Sequence, residues 1–104
     1  METVEDIPGA YLRTIGENIR RRRKKRGLSM EELGLEVGLT RMQVNRIEKG
    51  YNVTATTILK LSIALNVKPS DLMKTDHKFK KEDLEKLVNT NKASKLKPKE
   101  KTKR

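Results

Sequence analysis

The chain has 104 residues, a hydrophobic share of 34% and a formal net charge of +11. That length suits one small domain with tails, and so little apolar mass confines a compact core to part of the chain. With no cysteine, disulfides and thiolate metal sites are excluded, and a reducing cytoplasm is the expected setting. Residues 1–12 (METVEDIPGAYL) lack a basic-then-apolar leader pattern, and there is no run of about 18 apolar residues to span a bilayer. No membrane partner is expected. The charge is uneven: residues 1–76 hold 14 Lys/Arg against 10 Asp/Glu, whereas 77–104 hold 11 against 4. A polyanionic partner follows from the excess, but charge alone does not name it.

Residues 1–9 are acidic and broken by Pro8-Gly9, which predicts a flexible lead-in to a domain over 10–76. The first helix is expected over about 10–26, with Leu12, Ile15 and Ile19 spaced for one face. It carries the run RRRRKKR at 20–26. That run reads as a phosphate clamp or nuclear-import signal, or equally as a solvated helix end whose cations offset the negative end of the dipole.

Residues 29–50, SMEELGLEVGLTRMQVNRIEKG, carry the densest signals. Ser29 with Glu32 is a capping box, and Thr40 with Gln43 repeats it eleven residues later. Between them Gly38 suits a tight turn, and Gly50 closes the second helix in the same way. Two capped helices meeting at a glycine read as a helix-turn-helix, whose second helix most often lies in a DNA major groove. Over 30–37, Met30, Leu33, Gly34 and Val37 share an arc opposite Leu35. Over 41–49, Gln43, Val44 and Ile47 share one side, while Arg41, Met42, Asn45, Arg46 and Lys49 fill the other. Glu48 falls at the border, within reach of a basic residue on the first helix.

Thr54 is placed to cap a fourth helix over 55–66, with Ile58, Leu61, Ser62 and Leu65 inward and Leu59 and Ile63 forming a second apolar pair. Pro69 fits the first turn of a short helix over 69–74, where Leu72 and Met73 close the core. Five helices with no strand candidate predict an all-α, five-helix bundle with a basic carboxy-terminal extension. Within that extension, 77–88 can form an extra helix bearing Leu84, Leu87 and Val88. Residues 89–104, with seven cations and one acid, are expected to be disordered.

Taken together, I19-R20, R23, G27-L28-S29, E32-L33-G34, G38-L39-T40, V44, I47-E48-K49-G50, I58, L61-S62, A64-L65, V67 and L72 resemble the phage-repressor type helix-turn-helix. This is also called the xenobiotic-response-element family, and the resemblance covers 15–74. It implies a lambda-repressor-like bundle that binds double-stranded operator DNA as a homodimer. It also implies a salt bridge from Arg23 to Glu48, and contacts from Thr40, Arg41, Met42 and Arg46 to bases or neighbouring phosphates. The chain departs from the family pattern at Met30, where many members have glutamine, at Gly34, where alanine is usual, and at 52–59, which lacks a common proline.

An arginine donates two parallel hydrogen bonds to guanine, worth about 1–3 kcal/mol against a wrong base. Arg41 and Arg46 are therefore the candidates for reading sequence, with phosphate contact the alternative for either. Asn45 can pair with adenine or pack against backbone, Met42 suits a thymine methyl, and Gln43 is chiefly a cap. Ser29, Met30 and Tyr51 are candidates for contact with the DNA backbone, since amides at a helix start bind anions; Tyr51 reads equally as a plain loop tyrosine, and Lys49 is a further DNA-binding candidate. The single histidine, His77, has no catalytic or metal-binding partner at suggestive spacing, so no enzyme, cofactor or metal is expected. A DNA-binding regulator, a repressor or control protein, is the leading reading. An adaptor or antitoxin that uses the same bundle on a protein partner is the alternative. Helices 4 and 5 offer the dimer contact through Leu59 and Ile63, unless those side chains pack beneath Leu84 and Leu87.

Overall fold

The computed structural model describes residues 7–95, and among them the chain forms six helices and no strand. They are α1 Ile7–Lys25, α2 Met30–Val37, α3 Arg41–Glu48, α4 Ala55–Leu65, α5 Pro69–Leu72 and α6 Lys81–Lys95. Pro8–Asp76 forms one compact unit, and the segment from His77 belongs to a second.

Three helices differ by more than one residue from the sequence expectation. Helix α1 begins at Ile7, inside the expected lead-in, because Pro8 falls in its first turn, where a missing amide has no intrahelical bond to lose. Helix α5 stops at Leu72, so Met73 is its cap and lies exposed instead of closing the core. Helix α6 runs to Lys95, well into the stretch expected to lack structure. Its Lys, Glu and Leu residues are good helix formers, and neither Gly nor Pro interrupts 81–95. Low hydrophobicity withholds a core from such a segment but does not forbid a helix. Its start is fixed by the Lys80 amide, which donates to Asp83 at 2.9 Å and holds that carboxyl below its ordinary pKa. The remainder of the expected lead-in (1–6) and tail (96–104) lies outside the described residues.

The core follows the apolar spacing. Ile15 and Ile19 of α1, Leu33 and Val37 of α2, Val44 and Ile47 of α3, Ile58, Leu61 and Leu65 of α4, and Leu72 of α5 form one buried cluster. Ile19, Leu33, Leu61 and Leu72 are wholly enclosed, each contributing about 1.5–3 kcal/mol over leaving it in water. Gln43, grouped with the buried side of α3 by angle, is exposed instead, because its amide oxygen is held at the cap.

Helix α1 organises the bundle through polar groups as well as apolar ones. Buried Asn18 donates to the carbonyls of Leu72 (3.0 Å) and Lys74 (2.9 Å), and the Tyr11 hydroxyl donates to the Met73 carbonyl between them. Three successive carbonyls at and just after the end of α5 are thus collected by α1. Two residues before Asn18, on another side of the helix, α1 meets the end of α3 so closely that a Cβ on Gly16 would sit 2.5 Å from the Glu48 carbonyl oxygen and 2.6 Å from that of Ile47. Both obstacles are backbone, which has little room to yield. Gly16→Ala is therefore expected to destabilise the fold by about 1–3 kcal/mol, the usual cost of overpacking. An unchanged denaturation midpoint would show that α1 does not seat on α3 at this point.

Candidate nucleic-acid interface

Each helix of the α2–α3 pair is closed by its own side chains. The Ser29 hydroxyl accepts from the Glu32 amide at 3.0 Å while the Ser29 amide donates to the Glu32 carboxylate at 2.8 Å. At α3, the Thr40 hydroxyl accepts from the Gln43 amide (3.1 Å), and the Thr40 amide donates to the Gln43 side chain (2.8 Å). Gly38 makes the turn with φ of 77°, a left-handed conformation that side chains rarely adopt, and the Leu39 amide closes back on the Gly34 carbonyl at 2.8 Å. Gly34 lies so close to the Leu39 carbonyl that a Cβ there would collide with it. The absence of a side chain at 34 is thus used, although alanine is the usual residue in the family that the sequence resembles.

This geometry sorts the faces of α3. Val44, Ile47 and Glu48 are buried, while Arg41, Met42, Gln43 and Arg46 are exposed and Asn45 is half-buried. Beyond the helix, Lys49 and Tyr51 are exposed too. The loop there folds back on itself: the Tyr51 amide donates to the Arg46 carbonyl at 3.0 Å and the Gly50 amide to that of Ile47 at 3.1 Å. At the start of α3 the cap occupies the Gln43 amide, which leaves those of Arg41 and Met42 outward without an intrahelical partner. At the start of α2, the hydroxyl and amide of Ser29 are both engaged in the cap. The Met30 and Glu31 amides are what that end offers an anion. The Met30 side chain is half-buried against the core, so its contribution there comes from the backbone.

The orientation of α3 is fixed from beneath. Arg23 Nε donates to Glu48 Oε2 at 2.6 Å and Nη2 to Oε1 at 3.0 Å, with the two side chains only 8% and 2% exposed. The same guanidinium donates through Nη1 to the Leu28 carbonyl at 2.8 Å, tying in the loop between α1 and α2. The bond to Glu48 raises the Arg23 pKa against the opposing effect of burial, so the guanidinium keeps its charge.

The basic run 20–26 divides by partner. Arg23 is internal. Arg21 donates to the Asn18 side chain at 2.6 Å. Arg26 donates to the Ala64 carbonyl of α4 and, at 3.2 Å, to Glu36 of α2. Arg20, Lys24 and Lys25 are exposed. The structural uses of Arg26, Asn18 and Gly16 were not visible in the sequence, since their partners lie far along the chain and no local pattern marks them.

Two capped helices at a glycine turn, the second presenting arginines outward over a buried apolar side, define the helix-turn-helix class of DNA-binding domain. A family model described as helix-turn-helix matches residues 19–72, and the chain belongs to that family. Among similar proteins is the HTH-type transcriptional regulator y4wC of Sinorhizobium fredii, 41% identical over 64 residues. The match takes in 61% of this chain but 45% of that relative, so the chain spans under half of it. The crystal structure of the restriction-modification controller protein C.AhdI from Aeromonas hydrophila is similar, with 41% identity and a TM-score of 0.59 over 61% of this chain and 97% of that one. A structure of the SinR–SinI protein complex is similar over 80% of this chain and 82% of that one, with 28% identity and a TM-score of 0.56.

Removing the Glu48 carboxylate would leave the Arg23 guanidinium buried without its counter-ion. Glu48→Ala is expected to cost about 3–5 kcal/mol, the range for breaking one side of a buried pair. Urea denaturation measures it directly, and a loss below about 1 kcal/mol, the value of an exposed pair, would mean that water reaches the site.

Proposed function

We propose that this chain is a sequence-specific DNA-binding transcriptional regulator, a repressor or control protein, that inserts α3 into the major groove as one half of a homodimer. The observation that carries the reading is the division of α3: a short helix pinned at its end by Arg23, with Arg41, Met42 and Arg46 exposed along its outer side. Arg41 and Arg46 read guanine edges, Asn45 an adenine and Met42 a thymine methyl. The amides of Met30 and Glu31, with Lys49 and Tyr51, hold phosphates on either side. The printed descriptions of y4wC as a transcriptional regulator and of C.AhdI as a controller protein agree with this use of the fold.

Arg41→Ala and Arg46→Ala are each expected to lower affinity for the preferred site by about 1–3 kcal/mol while binding to random duplex falls less. The preferred site is obtained by selection from a random pool, and both affinities are read by fluorescence anisotropy. Equal losses on the two duplexes would reduce these arginines to phosphate contacts.

A single bundle spans too few base pairs to single out an operator, whereas two related by a twofold axis read half-sites about one helical turn apart. Leu59 and Ile63 of α4 suit the contact: they are 49% and 71% exposed in the described residues and one turn apart. Ile63 and Ala64 are bordered by Glu36 and Lys60, of opposite sign. A twofold axis through such a strip would set each acid near the other copy's lysine, which makes the patch self-complementary. Leu59→Glu with Ile63→Lys is expected to convert a dimer to a folded monomer of half the mass by light scattering. Wild-type mass in the folded double mutant would remove α4 as the interface.

A further inference from the structure

Alongside α3, on the side facing α1, runs an open groove. Arg13, Glu17 and Arg20 of α1 line it from one side, Asn45, Glu48 and Lys49 from the other, and Met30 completes it. Glu48 is neutralised by Arg23, which leaves three cations in the lining against Glu17. Arg20 and Lys49 are both exposed, and among the described residues neither has a carboxylate within ion-pair distance. Two uncompensated cations thus flank one concave surface.

What such a surface meets follows from the dimensions of DNA. The major groove is about 12 Å wide, and a helix with its side chains is about 10–12 Å across, so a helix seated there fills it from wall to wall. Whatever lies beside that helix on the protein side then faces the sugar-phosphate backbone. Asn45 of α3 and Lys49, which caps that helix, both line the groove, so the groove opens along the edge of the helix that enters DNA. We propose that Arg20 of α1, with Lys49 opposite, clamps one backbone phosphate of the bound duplex and so sets the depth and register of α3. This rests on the reading of α3 as the recognition helix. It adds a contact from a helix outside the helix-turn-helix itself, and it gives a use to one cation of the 20–26 run that the bundle does not employ internally.

The test compares wild-type protein with Arg20→Ala, Arg20→Lys and Lys25→Ala, the last removing an exposed α1 cation that does not line the groove. Affinity for the selected site and for random duplex is measured by fluorescence anisotropy across a salt series, and thermal melts confirm that each variant is folded. Losing one phosphate contact flattens the slope of log affinity against log salt by about 0.9. Arg20→Ala is expected to show that change on both duplexes with the preferred sequence unaltered. Arg20→Lys should retain most of the slope and Lys25→Ala all of it. A wild-type slope in Arg20→Ala, or an equal flattening in Lys25→Ala, would overturn the clamp. Wild-type protein that binds no duplex at any salt would instead overturn the regulator reading, and the clamp with it.

Discussion

Arg23 and Glu48 face each other in the interior with two hydrogen bonds between them, and most of the domain's geometry answers to that pair. Two charges withdrawn from water are tolerated only when their bonding is nearly complete. Arg23 therefore uses its third group on the Leu28 carbonyl, and the loop entering α2 cannot shift without opening the site. Glu48 is the last residue of α3, so the same bonds hold the end of that helix against α1. The bare backbone at Gly16 lets the two helices approach to that distance. The pair and the glycine are one device: the first requires the close approach and the second permits it.

A fixed inner side leaves α3 an outer side of known orientation. Its side chains there can be long and polar without harming the core, since Val44 and Ile47 carry the apolar packing of the helix. Arg41 and Arg46 can differ between related proteins while the scaffold stays the same. This separation matters for recognition, because a donor pair aimed at a base edge discriminates only if the helix carrying it does not rock.

How much of this the sequence disclosed depends on the range of each signal. The two capping boxes, the turn at Gly38 and the apolar spacing of α3 are local, written within eleven residues or so, and the helices appear where those signals stand. The ion pair spans 25 residues; the arc of α3 puts Glu48 within reach of a basic residue on α1, but only the resemblance singles out Arg23. Gly16, Asn18 and Arg26 gave no sign of their roles, because the carbonyls they meet belong to segments 31 or more positions away. A backbone carbonyl has no residue identity to read. The end of α6 at Lys95 departs from expectation for another reason: a polar, cationic stretch argues against a core and not against a helix. Arg41 and Arg46 are legible in the sequence as exposed arginines on a capped helix, because the cap and the helical spacing are both local signals.

The bonds from Asn18 to Leu72 and Lys74 span 54 and 56 residues, and they bear on how the domain comes into being. A chain made from its amino end releases α1 first and the exit of α5 last. Until Lys74 has left the ribosome, the Asn18 amide lacks at least one of its two carbonyl acceptors, and an amide cannot be buried unsatisfied without cost. The α2–turn–α3 segment, with its local caps, can assemble early, but the bundle around it stays open on the Asn18 side. Closure is therefore held back until nearly every residue of the domain has been synthesised, so a truncated nascent chain would expose α3 without the frame that orients it.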